Sequence, residues 1–309
     1  MERRDFLKST LGGGLAAGAM GAAPQVEVPK RLYRDQVRLS IIGFGGIVVV
    51  GLEQTEANRW VADSIDRGVN YFDVAPTYGN GEAEQKLGVA LKPYRQNVFL
   101  ACKTQKRDAA GARRELEHSL RTLRTDHFDL YQFHAVSKME DVERIVGPGG
   151  AGELFVKARQ EGKVRYLGFS AHSAEAAIAL MDRMELDSVL FPVNFVCFAQ
   201  GNFGPQILAK AKQKGLARMA LKSLAYTRLA EGEKRPRPKC WYRPVTDRAL
   251  AEKALRFTLS QEITAAIPPG DEALYRMALE MAPSFRPINV AEKKRLLAST
   301  KGVEPIFRA

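Results

Sequence analysis

Hydrophobic positions along the chain follow two alternating rhythms. Runs of five to seven residues rich in β-branched and aromatic types alternate with longer stretches whose apolar residues recur every three to four positions. These are the periods of buried strands and of amphipathic helices. The strand-like runs are Arg38–Ile42, Asn70–Val74, Asn97–Lys103, Phe128–His134, Arg165–Ser170, Ser188–Asn194, Ala217–Lys222 and Ile263–Ile267, and their starts recur at intervals of 23 to 46 residues. Each interval is the span of one strand–helix unit. Eight such units predict an α/β fold, a single-domain (β/α)8 barrel.

The stretches between the runs carry helix punctuation. Glu53–Arg67 stops at Gly68, and Pro205–Lys214 stops at Gly215, the residue suited to a left-handed helix end. Asp108 precedes Ala109–Arg124, and Ser173 precedes Ala174–Met184; both are good N-caps. Thr246–Ser260 leads to the last run, and Val290–Ser299 predicts a terminal helix against the barrel wall. Gly147–Gly152 reads as a flexible joint before the fourth barrel helix. A doubly wound open sheet needs a longer Gly-rich phosphate loop than Gly43-Phe-Gly-Gly46, and no suitably placed acidic residue follows.

Composition narrows the class. The 309 residues are 45% hydrophobic and 27% charged, which excludes a disordered chain and provides for a large core. Three cysteines are too few for a disulfide scaffold. The formal charge of +12 fits an anionic cofactor. The densest basic segment, Lys234 to Arg243, is broken by Pro236 and Pro238, so nucleic acid is not an expected partner.

Residues 1–23 read as a targeting segment and 24–36 as a linker, leaving 37–309 as the barrel with its terminal helix. Arg3-Arg4 is followed by Phe6-Leu7-Lys8 and by a weakly apolar stretch, Leu11–Ala23, which at 13 residues is too short to span a bilayer. This pattern resembles a twin-arginine export signal. It implies the twin-arginine machinery as a partner and a periplasmic or other extracytoplasmic location.

In a barrel of this kind chemistry sits at the C-terminal ends of the strands. The first strand runs into Gly45 and Gly46, where a ligand could approach the backbone. Asp73, with Tyr78 just beyond it, Lys103 and His134 stand at the next three strand ends. A lysine closing an apolar strand needs a partner, because an unpaired buried ammonium is costly, and Asp73 is the nearest candidate. The four histidines His118, His127, His134 and His172 show no metal-site spacing, which argues against a metal-dependent hydrolase.

The segment from Gly68 to Glu82, Gly-x-x-Tyr-x-Asp-x-Ala-x-x-Tyr-Gly-x-x-Glu, resembles the second-strand signature of the aldo-keto reductases. Lys103 and His134 match the family's catalytic positions at the next two strand ends, and the resemblance runs from about residue 37 to 281. It implies reduction of an aldehyde or ketone to an alcohol, or the reverse, by hydride transfer from a nicotinamide dinucleotide. The implied catalytic set is Asp73, Tyr78, Lys103 and His134. Tyr78 would be the general acid, with its phenol pKa lowered by Lys103. Asp73 would hold Lys103 charged, and His134 would orient the carbonyl.

For the cofactor the resemblance implies Ser170 and Asn194 on the nicotinamide amide, with Ala171 where many members have Asn. Lys222 ends the seventh strand, and Gly270 opens a turn whose free N–H groups suit a phosphate. Arg276 is the nearby cation for a 2′-phosphate, which favours NADPH, while Asp271 and Glu272 leave NADH possible. The long connection from Arg228 to Arg243, with Trp241 and Tyr242, is expected to cover the cofactor or line the substrate mouth. The alternative within this resemblance is a nicotinamide-binding redox sensor or regulatory subunit without turnover. The identity of the carbonyl substrate is not legible in the sequence.

Overall fold

The structure is a computed structural model that describes residues 27–309. The export-signal reading, on residues 1–23, lies outside the described residues. Twelve strands and eleven α-helices follow in chain order among the described residues. The strands are β1 (Lys30–Arg34), β2 (Val37–Ser40), β3 (Phe44–Gly45), β4 (Tyr71–Asp73), β5 (Phe99–Thr104), β6 (Phe128–Val136), β7 (Val164–Ala171), β8 (Ser188–Pro192), β9 (Ala217–Leu221), β10 (Ala225–Arg228), β11 (Tyr242–Pro244) and β12 (Ala265–Ile267). The helices are α1 (Gln54–Asp66), α2 (Glu82–Ala90), α3 (Ala109–Thr122), α4 (Met139–Val146), α5 (Ala151–Gln160), α6 (Ala174–Arg183), α7 (Phe195–Gln200), α8 (Pro205–Gln213), α9 (Arg248–Leu259), α10 (Glu272–Met281) and α11 (Val290–Ala298).

Eight parallel strands pair in the order β12-β9-β8-β7-β6-β5-β4-β3. The ring closes where Gly43 N–H donates to Ala266 C=O at 2.9 Å and Ala266 N–H donates to Ile41 C=O at 2.8 Å. This is the (β/α)8 barrel that the strand–helix repeat predicts.

The first run is placed differently from the expectation. Val37–Ser40 pairs with Lys30–Arg34 as an antiparallel hairpin, and the chain joins the barrel ring only at Ile41–Gly43, just ahead of β3. Lys30–Arg34 therefore belongs to the folded body and not to a linker. The physical reason lies in the barrel interior, where Tyr33 and Leu39 of the hairpin join Tyr71, Phe99, Leu130, Tyr166, Met219 and Ala265 in one buried cluster. Tyr33 packs edge-on against Phe99 at 5.1 Å and Tyr166 at 5.3 Å between ring centres. Such aromatic contacts favour plugging that end of the barrel.

The expected caps form. Asp108 accepts from Gly111 N–H at 2.7 Å, and Ser173 accepts from Ala176 N–H at 3.2 Å. The Gly147–Gly152 segment links α4 to α5 but is tethered, not free. Gly149 C=O accepts from Ala109 N–H at 2.8 Å, and Ala151 N–H donates to Arg107 C=O at 2.8 Å. A hollow of about 540 Å³ is lined by Arg34 of the β1–β2 hairpin, Arg159 and Asp187, the residue just before β8. It is remote from the strand ends that carry Lys103 and His134.

Candidate active site

The strand register builds the centre of the site. Tyr71 and Asp73 are two residues apart on β4, as are Gln132 and His134 on β6, so each pair shares a face. Lys103 lies on β5 between them and pairs with Gln132 across the sheet. Asp73 and Lys103 are ion-paired, with side chains only 2% and 1% exposed. The second Asp73 carboxylate oxygen accepts from Gln132 Nε2 at 2.9 Å and from the Tyr71 hydroxyl at 3.3 Å. A buried charge pair is tolerable only when its remaining lone pairs are satisfied, and Gln132 and Tyr71 do this for Asp73. The sequence reading missed both, although their two-residue spacing from His134 and Asp73 is a signal that could have found them.

Tyr78 arrives from the turn after β4. Lys103 Nζ donates to the Tyr78 hydroxyl at 3.2 Å and lies 5.0 Å from the centre of its ring. Tyr78 packs edge-to-face on His134, with ring centres 5.7 Å apart. The structure thus brings Asp73, Tyr78, Lys103 and His134 to one point.

Electrostatics corrects one expectation. Burial raises the Tyr78 pKa more than Lys103 lowers it, so the phenol ends above its ordinary value of 10. Tyr78 is therefore a protonated phenol at neutral pH, with an ammonium ready to hold the phenolate if its proton leaves. Burial alone would lower the Lys103 pKa, but Asp73 and Tyr78 outweigh it and raise it. The His134 pKa is pushed down to about 2 by burial first, then by Lys103. His134 is a neutral imidazole whose Nδ1 has no partner among the described residues.

A cleft of about 100 Å³ is lined by Tyr78 together with Gly45, Leu190, Lys222, Trp241 and Gly270. Gly45 lines it. Gly46 faces elsewhere: a Cβ there would meet Val74 at 2.9 Å, so this glycine serves packing. Gly270 lines the cleft and also lets the chain pass Ile47, whose Cβ would lie 2.4 Å from an added Cβ. Asp271 caps α10 by accepting from Leu274 N–H at 3.1 Å.

Ser170 and Asn194 are engaged within the chain. Ser170 Oγ accepts from Ala135 N–H at 2.8 Å. It thereby fixes the left-handed Ala135, φ +54°, next to His134. Asn194 caps α7 by accepting from Cys197 N–H at 2.8 Å, and it donates to Lys222 C=O at 3.4 Å. Arg276 lies over the Trp60 ring at 4.3 Å and reaches Asp63 at 3.9 Å.

The long connection forms the β10–β11 pair and a strap across one side of the cleft. Lys239 Nζ donates to Val48 C=O at 2.8 Å and to the Glu272 carboxylate at 2.6 Å. Near the C-terminus, Phe307 stacks on His172 at 4.8 Å and packs against the cleft-lining Trp241 at 5.9 Å between ring centres. His172 and Phe307 were not singled out as site residues in the sequence, since the contact depends on where the tail returns.

The family model for "Aldo/keto reductase family" matches residues 42–280. The chain belongs to the aldo/keto reductase family. An uncharacterized oxidoreductase YqkF of Bacillus subtilis is 24% identical over 309 aligned positions, covering 91% of this chain and 98% of that protein. The aldo-keto reductase YhdN of the same organism is 32% identical over 153 positions, 46% of this chain and 44% of that protein. Among solved structures, the holo form of aldo-keto reductase AKR11C1 from Bacillus halodurans superposes with a TM-score of 0.71 at 24% identity, covering 91% of this chain and 99% of that one. Membership makes the chain an oxidoreductase.

Proposed function

We propose that this aldo/keto reductase reduces a small aldehyde or ketone to an alcohol with a nicotinamide dinucleotide, NADPH in the first instance. The observation that carries the reading is the Lys103 ammonium, which bonds at once to the Asp73 carboxylate and the Tyr78 hydroxyl. That arrangement is what a phenolic proton donor requires. The cleft lining suits the nicotinamide end of a dinucleotide: the proton donor Tyr78 stands in it together with the apolar Leu190, Leu221 and Ile267, which can pack on a neutral ring. Bound there, a dihydronicotinamide would supply the hydride.

The chain's own part is to bind the carbonyl and handle the proton. A substrate oxygen lodged between Tyr78 and the neutral His134 can accept hydrogen bonds from both. As negative charge develops on that oxygen, Tyr78 gives up its proton. Lys103 then faces a phenolate at hydrogen-bond distance, and Asp73 keeps the ammonium fixed and charged. General acid catalysis of this kind is typically worth about 10²–10⁴-fold. Trp241, held from behind by Phe307, and the strap would limit water in the cleft.

Loss of dihydronicotinamide absorbance with a panel of simple aldehydes tests the activity, and Tyr78→Phe should bind cofactor while losing most of kcat. A Tyr78→Phe enzyme running at the wild-type rate would refute the role of Tyr78. Cofactor binding without turnover of any carbonyl would favour the sensor reading. We also propose export through the twin-arginine route, supported by Arg3-Arg4 and the apolar stretch behind them. Arg3→Lys with Arg4→Lys should leave the protein in the cytoplasm of fractionated cells; unchanged export would exclude that route.

A further inference from the structure

Lys222 is the buried charge that the proposed proton chemistry does not use. It stands where the chain leaves β9, at a left-handed φ of +61°. That conformation is unfavourable for a side chain of this kind and persists only when its surroundings impose it. The surroundings are explicit: Lys222 C=O accepts from Ala225 N–H at 3.0 Å and from Asn194 Nδ2 at 3.4 Å. The side chain enters the cleft shared with Asp73 and Tyr78, with Nζ 5.5 Å from the centre of the Trp241 ring.

No carboxylate among the described residues pairs with it. The titratable groups that act on it are Lys103, Cys197 and Cys240, and it acts in turn on His134 and His172. Asp73 is already matched by Lys103, and Lys239 by Glu272. Burial and Lys103 lower the Lys222 pKa to about 8, and burial leaves both histidines neutral across the useful range. The cleft therefore holds one uncompensated positive charge at neutral pH. The structure spends backbone strain and desolvation to keep it there.

A hydride donor must come within about 3–3.5 Å of the carbonyl carbon whose oxygen Tyr78 protonates. Its ring must therefore lie beside Tyr78, in a cleft of only about 100 Å³ that Asp73, Leu190 and Lys222 also line, with Lys222 close enough to Lys103 and His134 for their charges to be felt. The reduced nicotinamide ring is neutral and the oxidised ring is a cation, while the phosphates carry the same charge in both forms. We propose that Lys222 makes this cleft discriminate between the redox forms of its cofactor, by repelling the oxidised nicotinamide and leaving the reduced one unaffected. The inference rests on the nicotinamide reading above. Its consequence is that spent cofactor leaves readily and the bound couple becomes a weaker reductant. For a two-electron couple each tenfold of discrimination raises the potential by about 30 mV.

Equilibrium binding decides the matter without turnover. The probes are NADPH and NADP⁺, and NADH and NAD⁺, measured on the full chain below and above pH 8. Lys222→Asn is neutral and tolerates a left-handed backbone, Lys222→Met is neutral and longer, and Lys222→Arg keeps the charge. One repulsive charge contact in a partly desolvated site is worth on the order of tenfold to a hundredfold in affinity. The ratio of oxidised to reduced dissociation constants should fall by about tenfold or more in Lys222→Asn and Lys222→Met. It should survive in Lys222→Arg, and in the wild type it should fade as pH rises through 8. Circular dichroism and Tm identify a variant that has not folded, and the Asn variant then carries the comparison.

A ratio unchanged in both neutral variants would overturn the proposal. So would an equal weakening of both redox forms, which would assign Lys222 to the pyrophosphate or another fixed anion and leave the reductase reading intact. Failure of the wild type to bind any of the four dinucleotides would overturn this inference together with the nicotinamide reading on which it rests.

Discussion

Replacing Lys103 by Met removes one ammonium and should disturb two groups at once. The Lys103 Nζ lies 3.2 Å from the Tyr78 oxygen. At an effective dielectric of about 20 a unit charge pair at that separation attracts by about 5 kcal/mol. Asp73, directly behind the ammonium, cancels roughly half of this at the phenolate. The remaining 2–3 kcal/mol corresponds to about two pKa units on Tyr78. Reduction requires the protonated phenol, so the rate falls as pH rises through the Tyr78 pKa. That fall already lies above 10 in the wild type and should move higher in the variant. At neutral pH the proton is held more tightly, and kcat should drop about 10²-fold or more.

The same change leaves Asp73 as a buried carboxylate with only Gln132 and Tyr71 beside it. Breaking one side of a buried pair costs about 3–5 kcal/mol of stability. Asp73→Asn in the Lys103→Met background should recover part of that loss, because it removes the orphaned charge. The assays are pH–rate profiles with one aldehyde and urea denaturation of the wild type, both single variants and the double variant. Coupling between residues that share a contact should reach about 0.5–3 kcal/mol. Additive losses with an unmoved high-pH limb would refute the reasoning and reduce the three residues to neighbours.

Arg276→Ala should raise KM for NADPH about tenfold while leaving NADH unchanged, since only the first has a 2′-phosphate to draw Arg276 from its 3.9 Å contact with Asp63; equal effects on both would remove Arg276 from cofactor selection. Gly270→Ala forces a Cβ to within 2.4 Å of Ile47, so cofactor affinity should fall, with about 1–3 kcal/mol lost in denaturation. Glu84 is fully buried, and burial raises its pKa above the ordinary value of 4.5. Its protonated form is the one favoured in the fold, so its contribution is complete below pH 4.5 and is lost as pH rises through the folded pKa. Glu84→Gln should therefore raise Tm at neutral pH and match the wild type in acid, as Tm measured against pH will show.

Local pattern alone determined a good deal. Strand and helix periods depend on residues two to four apart, so the eight-unit repeat and the caps Asp108 and Ser173 could be read directly. The same register placed Asp73, Lys103 and His134 at neighbouring strand ends, because a parallel barrel puts successive C-terminal ends together. Tertiary structure decided whatever depends on burial and on partners distant in sequence. Tyr33 became a barrel plug through Phe99 and Tyr166, which no local rule specifies. Asn194 and Ser170 were drawn to the backbone of Cys197 and Ala135. The sign of the Tyr78 shift follows from a contest between desolvation and one ammonium, and only the packed site fixes the winner. Lys222 could be read from the sequence as a strand-end candidate for the cofactor, but its lack of a counter-charge is fixed only once the strands around it have closed.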